Sequence, residues 1–218
     1  VFVKVCGITN EEDALLAVAL GADAVGFIFA PSPRQITPLL AGDITRRLPP
    51  EILTVGVFRD EVPARVTQVV NELGLKAAQL HGSESVEDFR WVSDRVPITI
   101  KAFQAGHPAM ARALAYRADM VLLDAPSPGS GQVFDWRLAE TATGIPRLIL
   151  AGGLNPGNVA DAISSVHPWG VDVVTGVEVS PGHKDPHLLR TFIAAAKAAA
   201  PPGYEGEGVG PYNWQDEI

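Results

Sequence analysis

The 218 residues are 47% hydrophobic and 19% charged, with a net charge of −8 and no block of Lys or Arg. That supplies enough apolar surface to offset ordering entropy, and it disfavours nucleic acid and anionic membranes as partners. No apolar run reaches the ~18 residues that span a bilayer, and a single cysteine, Cys6, excludes an internal disulfide framework or a multi-thiolate zinc site.

In chain order, short apolar runs alternate with helix-like runs. The strand candidates are 2–6, 23–29, 53–58, 76–80, 97–102, 119–123, 147–151 and 170–174. Most are near-continuous in apolar character, as parallel strands buried on both faces are. The chain enters the first run at once, so no secretory leader is expected and a cytoplasmic location is. Thr9-x-x-Glu12 reads as a capping box before an Ala/Leu/Val run that stops at Gly21. Asn155-Pro156 reads as N-cap and first position of a later helix, and Asp185-Pro186 opens a last one at 187–200. Eight strand–helix units within 1–200 select a single (β/α)8 barrel over a doubly wound sheet. A weak repeat supports this: 21–25, 117–121 and 170–174 share an Asp-x-Val strand entry at offsets of 96 and 53 residues. Residues 201–218 are rich in Gly and Pro, carry four acids and no Lys or Arg, and read as a solvated tail.

In such a barrel the chemistry gathers at the C-terminal ends of the strands. Cys6 ends the first strand and Asp124 the sixth, a plausible base and acid facing each other across the mouth. Period-2 alternation puts Phe2, Lys4 and Cys6 on one face. If that face is the interior, the Lys4 ammonium lies below the thiol and favours thiolate. Arg34 reads as a surface arginine or as a bidentate carboxylate clamp. Gln79 and His81 share a face, as satisfied polar groups or substrate contacts. Gly152 and Gly153 after strand 7, with Thr175 and Gly176 after strand 8, offer backbone N–H groups to a phosphate. The remaining histidines, 107, 167, 183 and 187, have no ligand spacing, so no metal is expected.

The segments KVCGIT (4–9), GFIFAPSPRQI (26–36), QLHGSE (79–84), LLDAPSPGSGQVFDW (122–136), LILAGGLNPGNV (148–159) and VDVVTGVEVSPGHKD (171–185) carry a resemblance. In order and spacing they resemble the phosphoribosylanthranilate isomerases of tryptophan biosynthesis, over about 1–198. The resemblance implies a TIM barrel of the ribulose-phosphate-binding type and a small phosphorylated substrate. It also implies no cofactor, a monomer or homodimer, and an Amadori rearrangement. By the same match Asp124 is the general acid, Cys6 the general base, and Arg34 the contact to the anthranilate carboxylate; Gly152, Gly153, Thr175 and Gly176 are the phosphate loops. Two departures are Ala151, where the family often has serine, and Val174-Thr175, where it often has two serines. Asp172 stays open: the family has an aspartate linked to the active site there, whereas the repeat puts it at a strand entry. A histidine-pathway isomerase, with aspartates as acid and base, fits less well because the first strand ends in Cys6. A catalytically silent barrel is the reading from another class. Because every candidate site residue precedes 186, deletion of 201–218 is expected to leave kcat/KM within a few-fold; a hundredfold loss in the truncated enzyme would place the tail at the barrel mouth.

Overall fold

The computed structural model describes residues 1–125, 145 and 147–199. The segment between strands 6 and 7, with its Gly-Ser-Gly-x-x-Phe-Asp-Trp motif, and the expected tail lie outside the described residues. Eight strands, β1 (Phe2–Cys6), β2 (Ala24–Ile28), β3 (Leu53–Phe58), β4 (Ala77–Leu80), β5 (Ile98–Gln104), β6 (Met120–Asp124), β7 (Leu148–Leu150) and β8 (Gly170–Val173), form one closed barrel. All neighbours are parallel, and β8 returns to β1 with Lys4 opposite Asp172. The chain is therefore a (β/α)8 barrel.

Alternation along each strand sorts two cores. Phe2, Cys6, Ala24, Leu53, Val55, Val57, Ile98, Ile100, Ala102, Met120, Leu122 and Ile149 fill the interior. Val3, Val5, Val25, Phe27, Val121, Leu123 and Leu150 face outward to the helices. The face that alternation assigns to Phe2, Lys4 and Cys6 is the interior one. The helices are α1 (Glu11–Ala19), α2 (Pro38–Thr45), α3 (Pro63–Leu73), α4 (Val86–Ser93), α5 (Ala113–Tyr116), α6 (Val159–Val166) and α7 (Pro186–Ala198). Asp185 caps α7 as expected, accepting from the N–H groups of His187 and Leu188.

Two start signals differ. The cap of α1 is one residue later, at Asn10: its Oδ1 accepts from the Asp13 N–H, and Asp13 Oδ2 accepts from the Asn10 amide. Thr9 Oγ1 instead donates to the Gly182 carbonyl, so a distant loop recruits the hydroxyl a local rule assigned to the cap. α6 begins at Val159, not Pro156, because Asn155 Oδ1 is used by the Gly157 N–H and folds a turn. After β8, β9 (Glu178–Ser180) and β10 (His183–Lys184) form a small antiparallel hairpin that no periodicity predicted.

The repeat is real for two of its three members. Asp23 Oδ2 accepts from the Val3 N–H, and Asp119 Oδ2 accepts from the Thr99 N–H and hydroxyl. Each aspartate enters a strand and satisfies the strand before it. Asp172 does not share this role: it is the third residue of β8 and points inside the barrel. Asp119→Ala leaves two donors of Thr99 without their acceptor, which is expected to cost about 1–3 kcal/mol in urea unfolding. A cost below about 0.5 kcal/mol would show that solvent replaces the carboxylate.

Candidate active site

The interior of the barrel carries an ion pair. Lys4 is fully buried, and its Nζ lies 2.9 Å from Asp172 Oδ1. Burial alone would lower the Lys4 pKa, but the charges of Asp172 and Cys6 outweigh it and hold the group as ammonium. Cys6 lies one pleat further toward the mouth. Lys4 and, to a smaller extent, Lys184 favour its thiolate, but burial dominates and pushes the thiol above its ordinary value. The expected influence of Lys4 toward the thiolate is present, but desolvation by burial outweighs it. Gly26 on β2 pairs with Cys6 and makes room for it, since a Cβ there would stand 2.6 Å from Sγ.

Asp124 ends β6, and its Oδ1 accepts from the Ala125 N–H at 2.8 Å. Its Oδ2 lies 3.3 Å from His81 Nε2, not aligned as a hydrogen bond, so Nε2 remains buried and unpartnered. The Gln79 amide nitrogen lies 3.0 Å from His81 Nδ1, so the second ring nitrogen, Nε2, is turned toward Asp124. Gln79 Oε1 is likewise buried with no partner. Gln79 and His81 therefore each offer an unsatisfied polar atom, that of His81 beside Asp124, as substrate contacts do. Lys101, buried on β5, locks the loop after β4 by donating to Glu84 Oε2 and to the Leu80 and Gly82 carbonyls.

Arg34 is not a bare surface arginine. Its Nε and Nη2 grip the Glu178 carboxylate at 2.7–3.0 Å, so the clamp is already closed on a carboxylate of the chain itself. Lys184 reaches the same carboxylate at 3.0 Å. Across the mouth, Gly152 and Gly153 have φ of 87° and 68°, which suits glycine. A Cβ at Gly176 would fall 1.9 Å from the Leu154 carbonyl oxygen, so the loops after β7 and β8 touch. The N–H groups of Gly152, Gly153, Thr175 and Gly176 form no backbone bond among the described residues, which leaves a set of donors for an anion. Ala151, one of the two departures, packs inside the barrel and gives its N–H to Leu123.

Sequence reasoning missed Gly26, Lys101, Glu178 and Lys184. Lys101 breaks an apolar strand run, and the other three stand inside the family-like motifs, so the signal was present without the partners that explain it.

Comparison with known proteins bears on this arrangement. The family model of N-(5'-phosphoribosyl)anthranilate isomerase matches residues 3–195. The chain belongs to the phosphoribosylanthranilate isomerase family. The N-(5'-phosphoribosyl)anthranilate isomerase of Desulforudis audaxviator is 51% identical over 204 residues, covering 90% of this chain and 98% of that one. The phosphoribosylanthranilate isomerase structure from Thermus thermophilus superposes with a TM-score of 0.85 at 41% identity, covering 91% and 99%. A phosphoribosylanthranilate isomerase in complex with reduced 1-(o-carboxyphenylamino)-1-deoxyribulose 5-phosphate gives 0.80 at 44% identity, with the same coverage.

For this member of the isomerase family, Gly26→Ala is expected to destabilise by about 1–3 kcal/mol, because the new methyl group meets the thiol. In a Cys6→Ala background the cost should fall, and a double-mutant cycle by urea unfolding measures the difference. Equal costs in both backgrounds would mean that the Cβ and backbone of Cys6 on β1, not the sulfur, set the limit.

Proposed function

We propose that this barrel catalyses the reaction for which its family is named, the Amadori rearrangement of N-(5-phosphoribosyl)anthranilate to 1-(2-carboxyphenylamino)-1-deoxyribulose 5-phosphate. The observation that carries the assignment of roles is the mouth itself. A thiol ends β1 and a carboxyl ends β6, both at the C-terminal end of the barrel, where amides without backbone partners among the described residues follow β7 and β8 and a guanidinium follows β2.

The sugar phosphate is held by the Gly152, Gly153, Thr175 and Gly176 amides, and Arg34 faces the anthranilate carboxylate. Asp124, carrying a proton, gives it to the furanose ring oxygen; the C1–O bond breaks and a protonated Schiff base forms. His81 and Gln79 lie beside that transfer. Cys6 thiolate removes the proton from C2, and the electron pair neutralises the iminium to an enolamine, which tautomerises to the ketone. Asp172 acts from below, as the counter-ion of Lys4. No step calls for a cofactor.

Phe2 to Ala198 supplies the catalytic barrel, and the partner of the chain is this small phosphorylated substrate. None of the described helices is long and apolar enough to cross a membrane. The assembly fits a monomer or a homodimer. A cytoplasmic setting suits Cys6, which works as a free thiol in a reducing compartment.

Rescue of a tryptophan auxotroph lacking this isomerase tests the reading, with Cys6→Ala as the inactive control. In the purified enzyme, Asp124→Asn and Cys6→Ser should each lower kcat at least ~10²-fold while substrate still binds. The active form holds one proton between the two groups, so kcat/KM is bell-shaped in pH. Because burial raises the Cys6 thiol, the alkaline limb should lie above the ordinary thiol range. Near-wild-type kcat for Cys6→Ser would return Cys6 to an inert core residue.

A further inference from the structure

We propose that Glu178 is a positioning residue that aims Arg34 at the substrate carboxylate, and that buried Lys184 holds Glu178 in place. The proposal rests on the reading that Arg34 meets this carboxylate, and goes beyond it by naming what fixes the guanidinium.

Three observations converge. First, Lys184 is spent entirely on the framework. Its side chain is fully buried, and the ammonium has three donors and three acceptors: the Cys6 carbonyl at 2.7 Å, Glu178 Oε1 at 3.0 Å and the Val174 carbonyl at 3.4 Å. It joins the residue ending β1 to the residue after β8, with Glu178 between them. Second, Glu178 reads Arg34 along one edge only. Nε and Nη2 are engaged, whereas Nη1 makes no hydrogen bond to any described residue. The stem of Arg34 lies over Gly7, where a Cβ would stand 2.9 Å from Arg34 Cδ, so the backbone of the β1 loop forms its floor. One edge of the fork is occupied and the other is presented, which is the geometry of a preorganised clamp.

Third, Lys4 pairs with Asp172 and Lys101 with Glu84 one to one, whereas Arg34 and Lys184 converge on the single carboxylate of Glu178. That carboxylate is divided between two cations, so the guanidinium keeps donors for a carboxylate brought by the substrate. Glu178 remains ionised in this role. Burial works against its charge, but the hydrogen bonds and charges of Arg34 and Lys184 hold its carboxyl below the ordinary value. The cluster as a whole therefore favours a ligand that brings a carboxylate. An arginine free to rotate would give much of that discrimination back as entropy.

The test uses two ligands: reduced 1-(o-carboxyphenylamino)-1-deoxyribulose 5-phosphate, and the same compound without the carboxyl group. Kd values are measured by calorimetry on full-length enzyme. Wild type is expected to prefer the carboxylated ligand. Glu178→Gln should shrink that preference at least ~10-fold while the decarboxylated ligand binds as before. Glu178→Asp keeps the charge and draws the guanidinium back, so it should shrink the preference in the same way, and it serves if the Gln variant does not fold. Arg34→Ala should abolish the preference. If the preference survives in both Glu178 variants but not in Arg34→Ala, the positioning role is wrong and the clamp stands. If both ligands weaken equally in the Glu178 variants, Glu178 is only structural and the proposal fails. If wild type shows no preference, the carboxylate reading of Arg34 falls, and the proposal with it.

Discussion

A buried ammonium bonded to a buried carboxylate, Lys4 to Asp172, stitches the first strand of the barrel to the last. The two residues are 168 apart in sequence and directly opposite in register. Such a pair is a weak source of net stability, because desolvation offsets most of the attraction, but leaving either partner alone inside is costly. Its effect is therefore selective: the register in which β8 meets β1 is the one that satisfies both charges. Cys6 stands one pleat above that closure, so the position of the thiol follows from it.

The same device recurs around the mouth. Lys101 anchors the loop after β4 that carries His81, and Lys184 anchors the turn between Cys6 and the loop after β8. In both cases a lysine is sunk among backbone carbonyls at the end of a strand, with a glutamate to balance it. Functional loops at the end of a barrel are exposed on one side and have few apolar contacts to hold them. Buried ion pairs with several carbonyl acceptors supply the rigidity that side-chain packing supplies lower down. The glycines complete the arrangement by allowing close approach: Gly26 against the thiol, Gly176 against Leu154, Gly82 against Asp60.

The barrel was legible because parallel strands buried on both faces leave near-continuous apolar runs, and eight such runs admit few folds. The face shared by Phe2, Lys4 and Cys6 followed from alternation alone. What failed was whatever depends on a partner far away. Thr9 looks like a cap until Gly182 takes its hydroxyl, 173 residues on. Arg34 looks unpaired until Glu178 arrives from 144 residues away. Asp172 shared a local pattern with Asp23 and Asp119. Yet Asp119 stands just before β6, whereas Asp172 lies within β8, and that shift turns a backbone acceptor into an interior counter-ion. For Cys6 the neighbouring charge could be read from alternation, but the extent of dehydration could not, because burial is a property of the closed barrel.

Gly152 links two functions that are chemically separate. A Cβ at that position would stand 2.4 Å from the Ala125 nitrogen, and that N–H is the one that Asp124 Oδ1 accepts. The loop proposed to offer amides to the phosphate therefore rests against the peptide that fixes Asp124, the proposed acid. A side chain at 152 would displace both at once, so under the proposed roles the grip on the phosphate and the delivery of the proton are coupled there. In a lineage changing its substrate, adjustments to the phosphate grip would have to come from Thr175 or Gly153 instead, and position 152 would be the last to vary.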